Sequence, residues 1–180
     1  MERKLKIGVM GSALGNQSKE VLEKAAEVGK AIAENGCILI FGATVGYPLE
    51  AANAAKKAGG LVVGISSAAN EKEQLEKYKR PVLPSDVIVY TGFGDLGRIP
   101  VLVRSCDAVV IISGRNGTMA EFSTAYAERI PIGVLEGTGG FADRVKAFDA
   151  EVLREKYPVK IIYGQNPREL VEGLLQAVKN

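Results

Sequence analysis

Ala108-Val109-Val110-Ile111-Ile112-Ser113-Gly114-Arg115-Asn116-Gly117-Thr118-Met119-Ala120-Glu121 is the stretch that decides how this chain folds. Its β-branched apolar run predicts a buried strand, its glycines a tight loop, and the residues after them a helix. Such a junction aims free backbone N–H groups and the positive end of a helix at one point, where a phosphate or carboxylate is favoured. Glu121 would lie about one turn inside that helix, beside the anion site. Local spacing leaves a second reading open. Thr118-Met119-Ala120-Glu121 is also a capping box, in which the Thr hydroxyl and Glu carboxylate satisfy each other's backbone N–H groups at a helix start.

The same kind of apolar run recurs along the chain, at Ile7 to Met10, Cys37 to Phe41, Leu61 to Ile65, Val87 to Tyr90, Ile132 to Leu135 and Lys160 to Tyr163. Helical segments separate most of them. The clearest is Ser18 to Asn35, with Val21, Ala25, Val28 and Ile32 on one face and Gly36 as its stop. Alternating strands and helices predict an α/β fold. The expectation is a Rossmann-like, doubly wound, mainly parallel sheet of about seven strands flanked by helices, with 180 residues forming one domain. In such a sheet ligands bind beyond the carboxyl ends of the strands, where strand order reverses. Glycines concentrate in the corresponding loops: Gly11-Ser12-Ala13-Leu14-Gly15, Gly42-Ala43-Thr44-Val45-Gly46, Gly92-Phe93-Gly94-Asp95-Leu96-Gly97 and the opening motif. Gly137-Thr138-Gly139-Gly140 reads as a mobile turn or as a loop that closes over the ligand, with the turn preferred. Ser66 to Ser85 is the least regular stretch, a short helix plus a loop that could serve as a lid.

Composition removes several function classes. The formal net charge is +2, from 23 basic and 21 acidic residues, so no broad basic field is offered to nucleic acid. No apolar run approaches the roughly 18 residues of a membrane helix, and no secretory leader is evident, so a cytoplasmic protein with no membrane partner is expected. Cys37 and Cys106 each precede an apolar strand and read as reduced, buried thiols. Histidine is absent, which removes the commonest general base, the Ser-His-Asp triad and most zinc or iron sites. No metal and no cofactor are expected; carboxylates and arginines must carry any chemistry.

Gly92 to Gly97 matches the G-x-G-x-x-G spacing of a dinucleotide fingerprint, but the mechanism also needs an acid about 20 residues on, at the end of the next strand. That strand ends at Ile112-Ser113-Gly114, without one. The loop does deliver Arg98 to a helix start, where a cation is unfavourable unless something anionic faces it. One reading pairs Arg98 with Asp95; the other turns it toward an anionic ligand or Glu121. Arg104, further along, reads as a solvated or interface side chain. Phe122 and Tyr126, four residues apart, read equally as core or subunit contact.

Together these residues resemble the LONELY GUY (LOG) proteins, long mislabelled as lysine decarboxylases, and their relatives the molybdenum cofactor carrier proteins. The family pattern P-G-G-x-G-T-x-x-E falls on Ser113 to Glu121. Arg98, nine residues before Asp107-Ala108, takes the place of the family's catalytic arginine. Gly42 to Gly64 repeats its glycine loop, Ala-rich helix and Gly-Gly-x-Val-x-Gly. The chain departs from the pattern with Ser113-Gly114-Arg115 for Pro-Gly-Gly, Ile99 for a basic residue, Ala43-Thr44 for further glycines and Tyr47-Pro48 for Leu-Met; Arg115, where the backbone would approach the phosphate closely, would either bind it or occlude it.

What the LOG resemblance implies is hydrolysis of the N-glycosidic bond of a nucleoside 5′-monophosphate, with Arg98 and Glu121 as catalytic residues. Gly11, Ser12, Gly42, Gly46, Gly114, Arg115, Gly117 and Thr118 would then hold the ligand and its phosphate. The carrier branch, closer in length and in Leu102-Val103-Arg104, implies a partner that is a phosphorylated pterin-type cofactor, bound without chemistry. Lysine decarboxylation is not expected, and the family implies a homodimer or larger assembly.

Overall fold

The computed structural model describes residues 3–13, 17–148 and 158–179. Seven strands form one all-parallel sheet: β1 (Lys6–Gly11), β2 (Ile38–Phe41), β3 (Leu61–Ser66), β4 (Val87–Tyr90), β5 (Ala108–Ile112), β6 (Ile132–Leu135) and β7 (Ile161–Gly164). They run in the order β4-β3-β2-β1-β5-β6-β7. Strand order therefore reverses between β1 and β5, whose register pairs Ile7 with Ala108 and Gly11 with Ile112. The expected α/β fold, with its strands near their expected positions, is the observed one.

All five residues of β5 are buried, because helices cover both faces of the central strands. Alternation along each strand splits the core in two. Val9, Phe41, Val110 and Ile112 face α1 (Lys19–Glu34), α2 (Tyr47–Lys57) and α8 (Pro167–Lys179). Met10, Ile40, Val109 and Ile111 face α5 (Ile99–Arg104), which follows the one-turn α4 (Gly94–Gly97), and α6 (Asn116–Ala127), with Val145 of the short α7 (Val145–Phe148) in the same layer. At about 1.5–3 kcal/mol for each fully buried large aliphatic side chain, these two layers dominate stability. α1 follows its sequence pattern closely: Ser18 accepts from the Val21 N–H, Val21, Ala25, Val28 and Ile32 are buried, and Gly36 leaves the helix at φ 71°.

Phe122 is fully buried, stacked on Tyr126 at 6.5 Å and edge-on to Phe141 at 5.4 Å. The aromatic pair thus belongs to the core. Arg104 lies at the surface, 2.9 Å from Glu128. Both cysteines are free and buried, and burial pushes the Cys106 thiol up to about 12, so neither is poised to react.

Two loop expectations resolve at this level. Gly137 to Gly140 is a braced turn: the Asp143 carboxylate accepts from the N–H groups of Gly137 at 2.8 Å and Gly139 at 2.9 Å. Its Thr138 hydroxyl accepts the Ser113 N–H at 2.8 Å, which ties the turn to the loop after β5. Ser66 to Ser85 contains α3 (Glu71–Glu76) and is anchored rather than loose. Gln74, fully buried, is bonded to the Ser66 hydroxyl at 2.7 Å and to the Ala43 carbonyl at 2.8 Å.

Candidate functional site

A cavity of about 420 Å³ opens at the carboxyl ends of β1 and β5, where strand order reverses. The loops after β1, β2, β3, β4 and β5 supply its walls. Gly11 and Ser12 come from the first, Gly42 from the second, Arg98 from the β4 side, and Arg115, Gly117, Thr118 and Glu121 from the last. Gly46 and Gly114 stand behind the wall. Gly46 ends the second loop as the N-cap of α2, against the Ser12 backbone, and Gly114 lies beneath the Thr118 side chain.

The start of α6 differs from the capping-box reading. The helix begins at Asn116, with Arg115 as an N-cap whose side chain makes no cap bond, so Thr118 is already its third residue. A capping box needs its Thr at the N-cap, outside the helix. The first backbone donor with a partner is Met119, bonded to the Arg115 carbonyl at 2.9 Å. The N–H groups of Asn116, Gly117 and Thr118 therefore have none among the described residues. A Cβ built on Gly117 would meet nothing within 4 Å, so the backbone here borders open space. Ser113, just upstream, holds φ 54°, a left-handed conformation that a proline ring forbids. The family's proline would not fit this loop as it stands.

Glu121 lies four residues beyond Gly117, about 6 Å along the helix axis. It is 8% exposed, lines the cavity, and makes no hydrogen bond or ion pair among the described residues. Burial raises its carboxyl to about 7, against the opposing pull of Arg98. The group can therefore hold or release a proton near neutrality. Arg98 is 6% exposed. Its Nη1 donates to the Gly42 carbonyl and, at 2.9 Å, to the Ile65 carbonyl, while Nε is buried without a partner among the described residues.

Arg98 does not pair with Asp95. Arg80 does, donating from Nη1 to Oδ1 at 2.7 Å and from Nη2 to Oδ2 at 3.2 Å, and this contact holds the Asp95 carboxyl below its ordinary value. Both residues line the cavity. Arg80 was not singled out from sequence. The available signal was positional, since it lies in the loop that follows the carboxyl end of β3. Arg115 is exposed at the rim and leaves the cavity open behind it; its guanidinium has no partner among the described residues.

A Rossmann-like sheet with a glycine loop and a buried Arg–Glu couple at its switch point places the molecule among LOG-like proteins. The chain belongs to the SLOG cluster4 family, whose model matches residues 4–171. Among solved structures it is similar to TM1055, a structural genomics target, with 30% identity, a TM-score of 0.83, and coverage of 96% of this chain and 99% of that one. It is also similar to the molybdenum cofactor binding protein of Rippkaea orientalis, with 25% identity, a TM-score of 0.80, and 100% of both chains covered. The molybdenum cofactor carrier protein of Chlamydomonas reinhardtii matches with 27% identity and a TM-score of 0.78, over 99% of this chain and 100% of that one. No helix among the described residues is long and apolar enough to cross a membrane.

Proposed function

We propose that this protein binds a phosphorylated heterocyclic small molecule in the cavity at the β1/β5 switch point and carries it without altering it. The bare start of α6 carries this reading: three N–H groups without a partner among the described residues lie around Gly117, where the backbone borders open space, on the positive end of a 12-residue helix. A phosphate seated there leaves Glu121 about 6 Å further along the axis, beside the ring that follows the phosphate in a nucleotide or a pterin-type cofactor. The Thr118 hydroxyl and the closely approaching loops at Gly11, Ser12 and Gly42 complete the cradle, with Gly46 and Gly114 shaping it from behind. The two similar molybdenum cofactor proteins support a phosphorylated pterin as cargo.

One observation favours a second reading, hydrolysis of a nucleoside 5′-monophosphate. A carboxyl raised to about 7 is suited to assist water addition at the anomeric carbon while the C–N bond breaks and the base departs with a proton. Incubation with AMP and GMP, followed by chromatography for free base, separates the two. Carriage predicts a raised melting temperature with a phosphorylated ligand and no released base. Base release that disappears in Glu121→Gln would replace carriage by hydrolysis, and absence of stabilisation by any phosphorylated ligand, a pterin cofactor included, would contradict both.

A further inference from the structure

We propose that the cavity accepts a ligand with two linked phosphoryl groups, the second held by Arg115 at the rim. This rests on the reading of the α6 start as a phosphate cradle and adds the class of anion it takes. Three cations line the cavity, and two are already engaged. Arg80 spends both terminal nitrogens on Asp95, at 2.7 and 3.2 Å, so its charge is neutralised within the protein. Arg98 directs Nη1 to the carbonyls of Gly42 and Ile65 and lies opposite Glu121, whose charge it attracts. Arg115 alone of the three has neither an ion pair nor a hydrogen bond among the described residues.

Its position sets what it can reach. Arg115 is the N-cap of α6, immediately before the three N–H groups that have no partner among the described residues, and its exposed side chain lines the cavity. A phosphate on those N–H groups has its inner side toward Glu121 and its outer side toward Arg115. That the inner end is built for a ligand follows independently from Glu121, which is 8% exposed, lines the cavity, and makes no hydrogen bond or ion pair among the described residues. A single phosphoryl group is met by the N–H groups and the Thr118 hydroxyl. The guanidinium beyond them is a planar fork suited to a second phosphoryl oxygen pair. Nucleoside diphosphates and dinucleotide-linked cofactors share this chemistry.

Inorganic phosphate and pyrophosphate test the inference without any assumption about the heterocycle. In titration calorimetry without divalent metal, pyrophosphate should bind the full chain about tenfold more tightly than phosphate, the increment of one charge-assisted contact. Arg115→Gln should weaken pyrophosphate more than phosphate, reducing that preference to about threefold or less, and Arg115→Lys should restore part of it. Lys30→Gln, which removes an exposed α1 cation outside the cavity, should keep the full preference and so separate a local contact from net charge. Equal affinity for the two anions, or a preference that Arg115→Gln leaves intact, would overturn the second phosphoryl site while the cradle stands. Binding of neither anion would overturn both.

Discussion

Gly42→Ala is expected to destabilise the protein by about 2–4 kcal/mol and to dislodge Arg98 from the cavity wall. Nothing about the local backbone demands glycine here. The constraint is space: a Cβ on Gly42 would fall on the Arg98 guanidinium, whose Nη1 donates to the Gly42 and Ile65 carbonyls at the ends of β2 and β3. A side chain 6% exposed cannot swing away cheaply, because it would abandon charged hydrogen bonds and empty its seat. Denaturant unfolding measures the loss. A double-mutant cycle identifies its cause, since Gly42→Ala in an Arg98→Ala background should cost under about 1 kcal/mol. Equal losses in both backgrounds would show that Arg98 is not what Gly42 accommodates.

Glu121→Gln should change how stability depends on pH. Native Glu121 keeps its proton up to about 7, whereas in the unfolded chain the group returns to 4.5. Between these values the native state binds the extra proton, so the Glu121 contribution to stability falls as pH rises through the window and is level above it. The total is up to about 3 kcal/mol. Relative to the native sequence, Glu121→Gln should therefore gain about 2–3 kcal/mol between roughly pH 5 and pH 8, measured as the difference in unfolding free energy. A constant difference across that range would mean that the carboxyl is not held protonated. Displacing Arg98 by Gly42→Ala should push the Glu121 transition higher still, because Arg98 is the charge that lowers it.

The architecture was legible because each strand is a short apolar run and each crossover a periodic helix, so local pattern and global fold agree. Ser18 to Gly36 shows the same for a single element, with cap, buried stripe and stop all written locally. The loop after β5 and its neighbours were placed by one rule, that ligands sit where strand order reverses, and the cavity lies there. What escaped was long-range. Arg80 and Asp95 are 15 residues apart and belong to different loops, and the Arg98 seat depends on Gly42, 56 residues away. The helix start stayed open between two readings for another reason. Thr118 and Glu121 have capping-box spacing, yet α6 begins at Asn116 and leaves its donors bare, a choice that local propensity does not encode.

Amide NMR of the full chain, titrated with AMP and with inorganic phosphate, reads phosphate binding at the start of α6 residue by residue. Saturable shifts are expected at the N–H groups of Asn116, Gly117 and Thr118, and their loss in Gly117→Val, whose Cβ would meet nothing within 4 Å. Saturable binding that leaves those three amides unmoved, or that survives unchanged in Gly117→Val, would contradict phosphate binding at the start of α6.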